Sequence, residues 1–483
     1  MAESLKNKTL RGAVWTFLER MGTQLVGFVV SIVLARLLTP GDYGAIGILG
    51  VFLSISQMFI DFGFGAALIR KSNRTDVDFS TVFWFNLGAS VFFYAILFFA
   101  APFIASYYRM PILVGVLRIV GLNLIIHACY TIQVTHLVAS VNFKPQAKIS
   151  VCTCILSGAL GITLAYLGFG VWALVGQSIF ASIVSCILYW LFSGWHPTFA
   201  FSFSAFREFF GFSSKIVVAG LLHTIYTNIS PLIIGRKYTA AALGYYTRGD
   251  SLVQMPGGLF QGTLGRVIFP VLSSIQNDEQ RLRAAYNKYL RLITSIVAPA
   301  MLLLAACAKP LIVFLVGAKW LPCVPYIQLL AIGWMVDPMI LVNLNILYVK
   351  GRSDIVLKLE LIKKAIAITI VVISVQYGII WLCVGRVVYG YIALALNLFV
   401  CGPFLGMSFW RQAREVAPIY LSAFAATAVA YLFAEMPLPS FFALALAGSA
   451  GASLYLLLAW MLKFDLIKEG HEILRRLPWA RAN

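Results

Sequence analysis

Charged side chains are scarce in this sequence. Asp, Glu, Lys and Arg make up 11% of its 483 residues, whereas 61% are hydrophobic. A soluble globular domain is about a quarter charged and about half apolar, so the chain as a whole is not one. Long polar stretches between the apolar runs are also missing, which excludes a separate soluble catalytic or receptor domain. Because a spanning helix needs about 20 apolar residues, the apolar content matches about fourteen of them.

The motifs of catalysis are absent as well. The sequence contains no nucleotide-binding P-loop, no metal-ligand spacing and no evident nucleophile and base. Its eight cysteines lie mostly within apolar segments, and Cys152 and Cys154 lack the spacing and partners of a metal site. We therefore predict a protein that is not an enzyme and that uses no cofactor and no metal.

What the sequence does contain is a series of fourteen apolar runs, which predicts an all-α polytopic membrane protein. The shortest connections, at 166–170 and 376–380, are Gly-bearing turns. The runs lie at 12–35, 44–68, 79–105, 112–139, 149–167, 170–192, 211–234, 242–272, 289–308, 323–348, 355–376, 378–401, 416–434 and 441–462.

Basic residues are distributed unevenly between the connections. With fourteen spans and both termini on one side, that side carries 23 Lys and Arg and the opposite side carries six. Positively charged short loops stay in the cytoplasm, so both termini are predicted to be cytoplasmic. The net charge of +19 thus follows from topology, and the absence of nucleic-acid motifs predicts no nucleic-acid partner.

An internal repeat appears when the sequence is shifted by 200 positions. The simplest interpretation is two six-helix lobes, 1–195 and 196–405, in pseudo-twofold repeat along the membrane normal. A C-terminal helix pair with a basic cytoplasmic tail, 406–483, is then appended. The matching pairs are Arg36 with Arg236, Thr39 with Thr239, Gly44 with Gly244 and Gly65 with Gly265.

Motifs in both halves resemble those of a known family. The first half contains RLLTPGDYG at 36–44, DFGFG at 61–65 and IRK at 69–71, and the second half contains LGYY at 243–246, QMP at 254–256, FP at 269–270 and GAKW at 317–320. Together they resemble bacterial polysaccharide-repeat flippases of the colanic-acid, exopolysaccharide and O-antigen type. These belong to the multidrug/oligosaccharidyl-lipid/polysaccharide exporter superfamily.

This resemblance implies a function and a set of partners. In such proteins a V-shaped pair of lobes opens alternately to each side of the bacterial cytoplasmic (inner) membrane. An undecaprenyl-diphosphate-linked oligosaccharide is thereby moved outward for exopolysaccharide, O-antigen or lipopolysaccharide assembly. The implied partners are this lipid-linked cargo, the bilayer, and the polysaccharide polymerase and export machinery. The resemblance also implies that spans one, two, seven and eight line the central cavity.

Polar side chains are concentrated in those same four spans. Because a charged group within the bilayer costs ~2.5 to 3.5 kcal/mol even on insertion scales, such residues usually face a cavity or a partner. A diphosphate carrying sugars needs cationic and hydrogen-bonding groups in place of water. We expect the diphosphate to bind Arg20, Lys215 and Arg266. The sugar hydroxyls are expected to contact Gln24, Gln57, Gln254 and Gln261. Coupling roles or structural ion pairs are expected for Glu19, Asp61, Asp250 and His223.

Alternatives remain open for these residues. Any single cation can instead belong to a structural ion pair, and Lys215 can snorkel to the interface. In span four, the spacing of Asn123, His127 and Thr131 favours a hydrogen-bonded helix contact over a proton relay.

A helix-weakening motif lies near the middle of span eight. Pro256 removes a backbone donor, and Gly257 and Gly258 soften the helix, which predicts a hinge for the inward-to-outward change. A static kink is the alternative.

Three other functions compete with the flippase. A cation-coupled multidrug antiporter would share the fold, whereas a membrane glycan polymerase or ligase would need catalytic groups on a sizeable loop. A scaffold would not need ionisable residues within the spans. The extra helix pair and the basic residues favour an anionic lipid-linked cargo.

Overall fold

The computed structural model describes residues 2–61, 63–71 and 73–469. Within these ranges it leaves out the side chains of 2–11, 13, 61, 66, 212, 215, 216, 218, 219, 222, 223 and 257–267. The described part is helical throughout, with connecting turns and no strand.

The helices follow one another through short connections. Their bounds are α1 Ala2–Leu37, α2 Pro40–Asp61, α3 Phe64–Arg70, α4 Asp76–Tyr108, α5 Ile112–Val120, α6 Leu122–Ala139, α7 Phe143–Tyr166, α8 Val171–Phe192, α9 Phe203–Lys237, α10 Ala240–Ser274, α11 Glu279–Ala306, α12 Ala308–Leu315, a 3-10 helix Ala318–Cys323, α13 Val324–Trp334, α14 Asp337–Val349, α15 Ser353–Ser374, α16 Ile379–Leu405, α17 Phe409–Ala434 and α18 Ser440–Met461.

Each of the fourteen apolar runs coincides with one of these helices or with two in succession. Eleven helical segments among the described residues are long and apolar enough to cross a membrane. The predicted multi-pass, all-helical fold is therefore confirmed. The three remaining runs fall in α9 and α10, each of which includes residues outside the described side chains, and in α15, which has five charged residues. The count of fourteen stays a prediction, as do the cytoplasmic termini.

Three predicted spans are interrupted rather than continuous. The second is divided between α2 and α3 at Gly63, whose φ of 69° lies in the left-handed region that glycine tolerates. The fourth is divided between α5 and α6 at Gly121. The tenth is divided between α13 and α14 just before Pro338, which lies in the first turn of α14, where its missing N–H is tolerated.

The helices pack into two compact units, Met1–Gly244 and Tyr245–Asn483. In the first unit, α7 packs against α1 and α8, and α4 packs against α5 and α6. The first unit also includes α9, which packs against α2, α3 and α4. The proposed lobe boundaries at 195/196 and 405/406 therefore remain predictions.

Lys71, from the IRK motif, joins three helices of the first unit. Its Nζ lies 3.1 Å from Asp78 Oδ1 in α4 and 3.1 Å from Glu208 Oε2 in α9. Burial lowers the pKa of Lys71, but the hydrogen bonds and charges of Glu208 and Asp78 outweigh it and raise the pKa overall. Lys71 therefore stays protonated and fastens the beginning of α9 to α4.

In the second unit, α11 is the central packing element. It packs against α13, α14, α17 and α18, while α16 packs against α13, α14 and α15. The buried hydroxyl of Tyr286 in α11 forms hydrogen bonds with the side-chain amides of Asn343 in α14 (3.0 Å) and Gln412 in α17 (2.7 Å). The C-terminal pair α17 and α18 is thus attached to the unit through α11.

The crossing of the membrane by α15 can be tested with reporter fusions. Its 22 residues are about 33 Å long, enough to span the hydrocarbon core despite their charges. A phosphatase that is active only outside the cytoplasm should be inactive when fused after Gly351 and active when fused after Gly378. Fusions after Met407 and Pro437, which flank the more apolar α17, provide the matched control. Equal activity at positions 351 and 378 would contradict a fourteen-span topology.

Candidate functional site

The two repeat-related helix junctions have the same bounds after a shift of 200. Helix α1 ends at Leu37 and α2 begins at Pro40, while α9 ends at Lys237 and α10 begins at Ala240. The offset inferred from four short identities therefore recurs in the helix boundaries.

A threonine caps the helix at both junctions. At the first, the Thr39 hydroxyl and backbone N–H donate to Asp42 Oδ2 at 2.7 and 2.9 Å, and the N–H of Asp42 lies 3.4 Å from Thr39 Oγ1. At the second, the N–H of Ala242 donates to Thr239 Oγ1 at 3.2 Å. Asp42 completes a capping arrangement that Ala242 cannot, so the two halves share the cap but differ in its strength.

The two junctions also meet in space, within the first unit. A Cβ atom built on Gly44 would lie 1.8 Å from the carbonyl oxygen of Ala240, and one built on Gly244 would lie 1.8 Å from that of Pro40. The contact is reciprocal between repeat-equivalent positions, and neither site has room for a side chain. The first turns of α2 and α10 thus pack backbone to backbone.

Side chains pack around this contact between the first turns of α2 and α10. A Cβ on Gly235 would lie 2.9 Å from Ile48 Cδ1, and Ile48 is itself fully buried. The Arg236 guanidinium lies 4.7 Å from the centre of the Tyr107 ring, a cation–π arrangement. The positive-inside distribution predicts that this end of the helices is the outer one, and the two junctions of the first unit are in contact there.

Glu19 and Arg20, neighbours in α1, have different surroundings. Glu19 Oε1 accepts hydrogen bonds from Ser150 Oγ at 2.7 Å and Gln146 Nε2 at 3.4 Å, both in α7. The Arg20 side chain is exposed, and none of the side chains that the structure describes forms a hydrogen bond or ion pair with it. Gln24, one turn further along α1, is half-buried.

The other described glutamines of the predicted site are engaged with neighbours. Gln57 Nε2 lies 2.8 Å from His127 Nδ1, which joins α2 to α6. Asn123, one turn before His127, donates to Ser178 Oγ in α8 at 2.7 Å. These bonds confirm the predicted hydrogen-bonded helix contact at Asn123 and His127. In α10, Gln254 Nε2 donates to Asp250 Oδ2 at 2.5 Å.

Several predicted site residues lie outside the described side chains. These are Asp61, Lys215, His223, Gly257, Gly258, Gln261 and Arg266. The backbone of α10 is helical from Ala240 to Ser274 and includes Pro256, so a hinge there stays a prediction.

The second unit contains an ion pair whose two residues were not among the predicted site residues. Arg386 Nη2 in α16 lies 3.2 Å from Asp337 Oδ2 in α14, and the guanidinium is 5.9 Å from the Trp334 ring and 5.6 Å from the Tyr389 ring. Asp337 is the first residue of α14, and the N-cap position before it is occupied by Val336. Two lone opposite charges inside apolar runs, Asp337 and Arg386, were the available sequence signal.

A second pair in this unit is more buried than its sequence position indicates. Lys363 in α15 forms an ion pair with Glu360, and its side chain is only 4% exposed. Four charged residues, Lys358, Glu360, Lys363 and Lys364, have ion-pair spacing near the start of α15, a pattern typical of a helix anchor at the membrane interface. At Lys363 the structure instead shows a charge enclosed by protein.

Comparison with known proteins identifies the family. The family described as "Polysaccharide biosynthesis protein" matches residues 33–325. The chain is 26% identical over 355 residues to the teichuronic acid biosynthesis protein TuaB of Bacillus subtilis, covering 73% of each chain. It is also 26% identical over 335 residues to the succinoglycan biosynthesis transport protein ExoT of Rhizobium meliloti, covering 69% of this chain and 68% of that one.

The fold is similar to that of a solved membrane protein. The structure of the lipid II flippase MurJ in an inward closed conformation matches with a TM-score of 0.75 at 16% identity, over 95% of this chain and 100% of that one.

Fold and sequence together define the class of protein. It is an all-helical, multi-pass protein of a bacterial cytoplasmic membrane with a flippase-type fold. It belongs to the polysaccharide biosynthesis protein family. The predicted resemblance to polysaccharide-repeat flippases is thereby confirmed.

The closed glycine contact predicts the effect of a single methyl group. Gly44→Ala should force α2 and α10 apart, because its Cβ meets a backbone oxygen that cannot rotate away. In a cysteine-free background carrying Ile48→Cys, an impermeant thiol reagent added from outside should then label residue 48 about tenfold faster, given an overpacking cost of ~1–3 kcal/mol.

Gly50→Ala is the matched control, since Gly50 lies in the same helix with no atom within 4 Å of its built Cβ. Equal labelling rates in the Gly44→Ala and Gly50→Ala backgrounds would refute the closed contact.

Proposed function

We propose that this protein is a transporter, not an enzyme, that flips undecaprenyl-diphosphate-linked oligosaccharide repeat units from the cytoplasmic to the periplasmic leaflet. The product would be used for exopolysaccharide or O-antigen assembly. The observation that carries this proposal is the family match over residues 33–325, which includes both repeat-related junctions. The names of the relatives TuaB and ExoT, which refer to biosynthesis of two different polysaccharides, support a polysaccharide precursor as cargo.

Arg20 is the described cation best suited to a diphosphate. Its neighbour Glu19 is already hydrogen-bonded to α7, so the nearest carboxylate along the chain is directed away from it. An exposed guanidinium inside a span is costly in hydrocarbon and favourable beside a phosphate, where it forms charge-assisted hydrogen bonds. Arg266 and Lys215 complete the proposed diphosphate site.

Four glutamines form the proposed sugar site, and the first of them is Gln24 in α1. Gln57 and Gln254 are held by His127 and Asp250, so each would exchange an existing hydrogen bond for one with a sugar hydroxyl. An exchange of this kind is nearly neutral in energy, which suits a site that must release its cargo. Gln261 is proposed as the fourth member.

Transport is proposed to occur by alternating access in a fourteen-span protein with cytoplasmic termini. The contact of Gly44 with Ala240 supports a closed outer end in this conformation. Pro256, Gly257 and Gly258 are proposed as the hinge. Among the proposed coupling residues, Glu19 and Asp250 have structural hydrogen bonds, which leaves Asp61 and His223 as the candidates for coupling.

Separate substitutions of the two arginines test the diphosphate site. Arg20→Gln and Arg266→Gln should each lower the rate of precursor export at least about tenfold, because a hydrogen bond to a charged group contributes ~1.5–3 kcal/mol. Lipid-linked repeat units should accumulate in the cytoplasmic leaflet, measured by extraction and by accessibility to an impermeant glycosidase.

Arg207→Gln is the matched control, since Arg207 is an exposed arginine in the first turns of α9 outside the proposed site. Export at the wild-type rate in both site variants would eliminate this cargo site.

A further inference from the structure

A basic cleft lies at the beginning of α17, outside the proposed cargo site. Its volume is about 590 Å³, and its lining residues belong to α17 and to the N-cap residue before it. The lining residues are Ser408, Trp410, Arg411, Arg414, Glu415 and Pro418.

The carboxylates around this cleft are already paired with other cations. Arg291 in α11 lies 2.6 Å from Glu415 and 2.8 Å from Asp465. Lys288, also in α11, forms an ion pair with Glu469. In the part of the chain that the structure describes, no carboxylate lies within ion-pair distance of Arg411 or Arg414, so the cleft carries two uncompensated positive charges.

Helical geometry turns these two arginines outward. Gln412, between them in sequence, is buried and bonded to Tyr286, whereas Arg411 and Arg414 are exposed one turn apart on the opposite face. Two guanidinium groups at this spacing suit the oxygens of one phosphate. Trp410 beside them is 78% exposed, and tryptophan is typical of the headgroup level of a membrane.

The same face of α17 becomes apolar further along the helix. Pro418, Leu421 and Phe424 follow Arg414 at three- and four-residue intervals, and Leu421 and Phe424 are 70% and 48% exposed. A basic turn followed by an apolar strip has the shape and polarity of a phospholipid, with a phosphate at one end and an acyl chain along the helix.

We propose that this surface binds an anionic phospholipid of the cytoplasmic leaflet, with its phosphate between Arg411 and Arg414 and an acyl chain beside Leu421 and Phe424. The assignment rests on the proposed orientation, in which α17 begins on the cytoplasmic side. It does not depend on the identity of the cargo. The lipid would fasten the C-terminal helix pair to the inner leaflet.

The test is lipid binding by the purified full-length protein in detergent. Phosphatidylglycerol and phosphatidylcholine with the same acyl chains are titrated separately, and bound lipid is counted by native mass spectrometry. Arg411→Gln with Arg414→Gln should weaken phosphatidylglycerol binding about tenfold or more and leave phosphatidylcholine binding unchanged. The charge-preserving pair Arg411→Lys with Arg414→Lys should retain most of the affinity.

The matched control removes the same charge elsewhere on the predicted cytoplasmic side, through Arg207→Gln with Lys358→Gln, both exposed residues on other helices. Wild-type affinity in the Arg411→Gln/Arg414→Gln protein, or an equal loss in the control, would overturn the proposal. Displacement of phosphatidylglycerol by undecaprenyl diphosphate at lower concentration would also overturn it, by assigning the cleft to the cargo. Because the assay contains no oligosaccharide and no transport step, its result is independent of whether the protein flips repeat units.

Discussion

The close approach of two helix ends at Gly44 and Gly244 is the constraint on which this account depends. Each glycine places its backbone where a methyl group would overlap a carbonyl oxygen of the other helix end. The reciprocity agrees with the repeat, because Gly44 and Gly244, like Pro40 and Ala240, are 200 positions apart in the sequence. Threonine caps at residues 39 and 239 define where both helices begin, and therefore which residue reaches the crossing.

Electrostatics separate the charges that hold the protein together from those that are available to ligands. Glu19, Asp337 and Glu415 are each bound within their own unit, by α7, by Arg386 and by Arg291 respectively. Partners of this kind offset part of the desolvation cost of ionisable groups in or near the bilayer. Arg20 in the first unit and the two arginines of α17 in the second differ from them, because the described residues supply no carboxylate for them. Anionic ligands are therefore expected at those arginines.

The helical architecture could be predicted from sequence because it depends on local apolar length. Each apolar run coincides with helix, and the turns at 166–170 and 376–380 contain the positive-φ residues Gly168, Gly170 and Gly378. The break at Gly63 was missed because the apolar run continues through it. Partners were harder to predict, since the rotation of each helix determines whether Asp337 caps a turn or reaches Arg386 in another helix. From their depth in the membrane alone, Glu19 and Gln57 are expected to have coupling or cargo-binding roles. In the structure, Glu19 is hydrogen-bonded to Ser150 in α7 and Gln57 to His127 in α6.

The central claim is transport of a lipid-linked oligosaccharide, and reconstitution tests it most directly. Purified protein in liposomes would receive an undecaprenyl-diphosphate oligosaccharide in one leaflet only, and an impermeant glycosidase would report its appearance in the other. Protein-dependent movement is expected, and it should stop when Tyr107 and Arg236, whose side chains meet beside the glycine contact, are both replaced by cysteine and linked by a short thiol cross-linker, and resume after release. Movement at the rate of protein-free liposomes, or movement unaffected by the cross-link, would contradict the central claim.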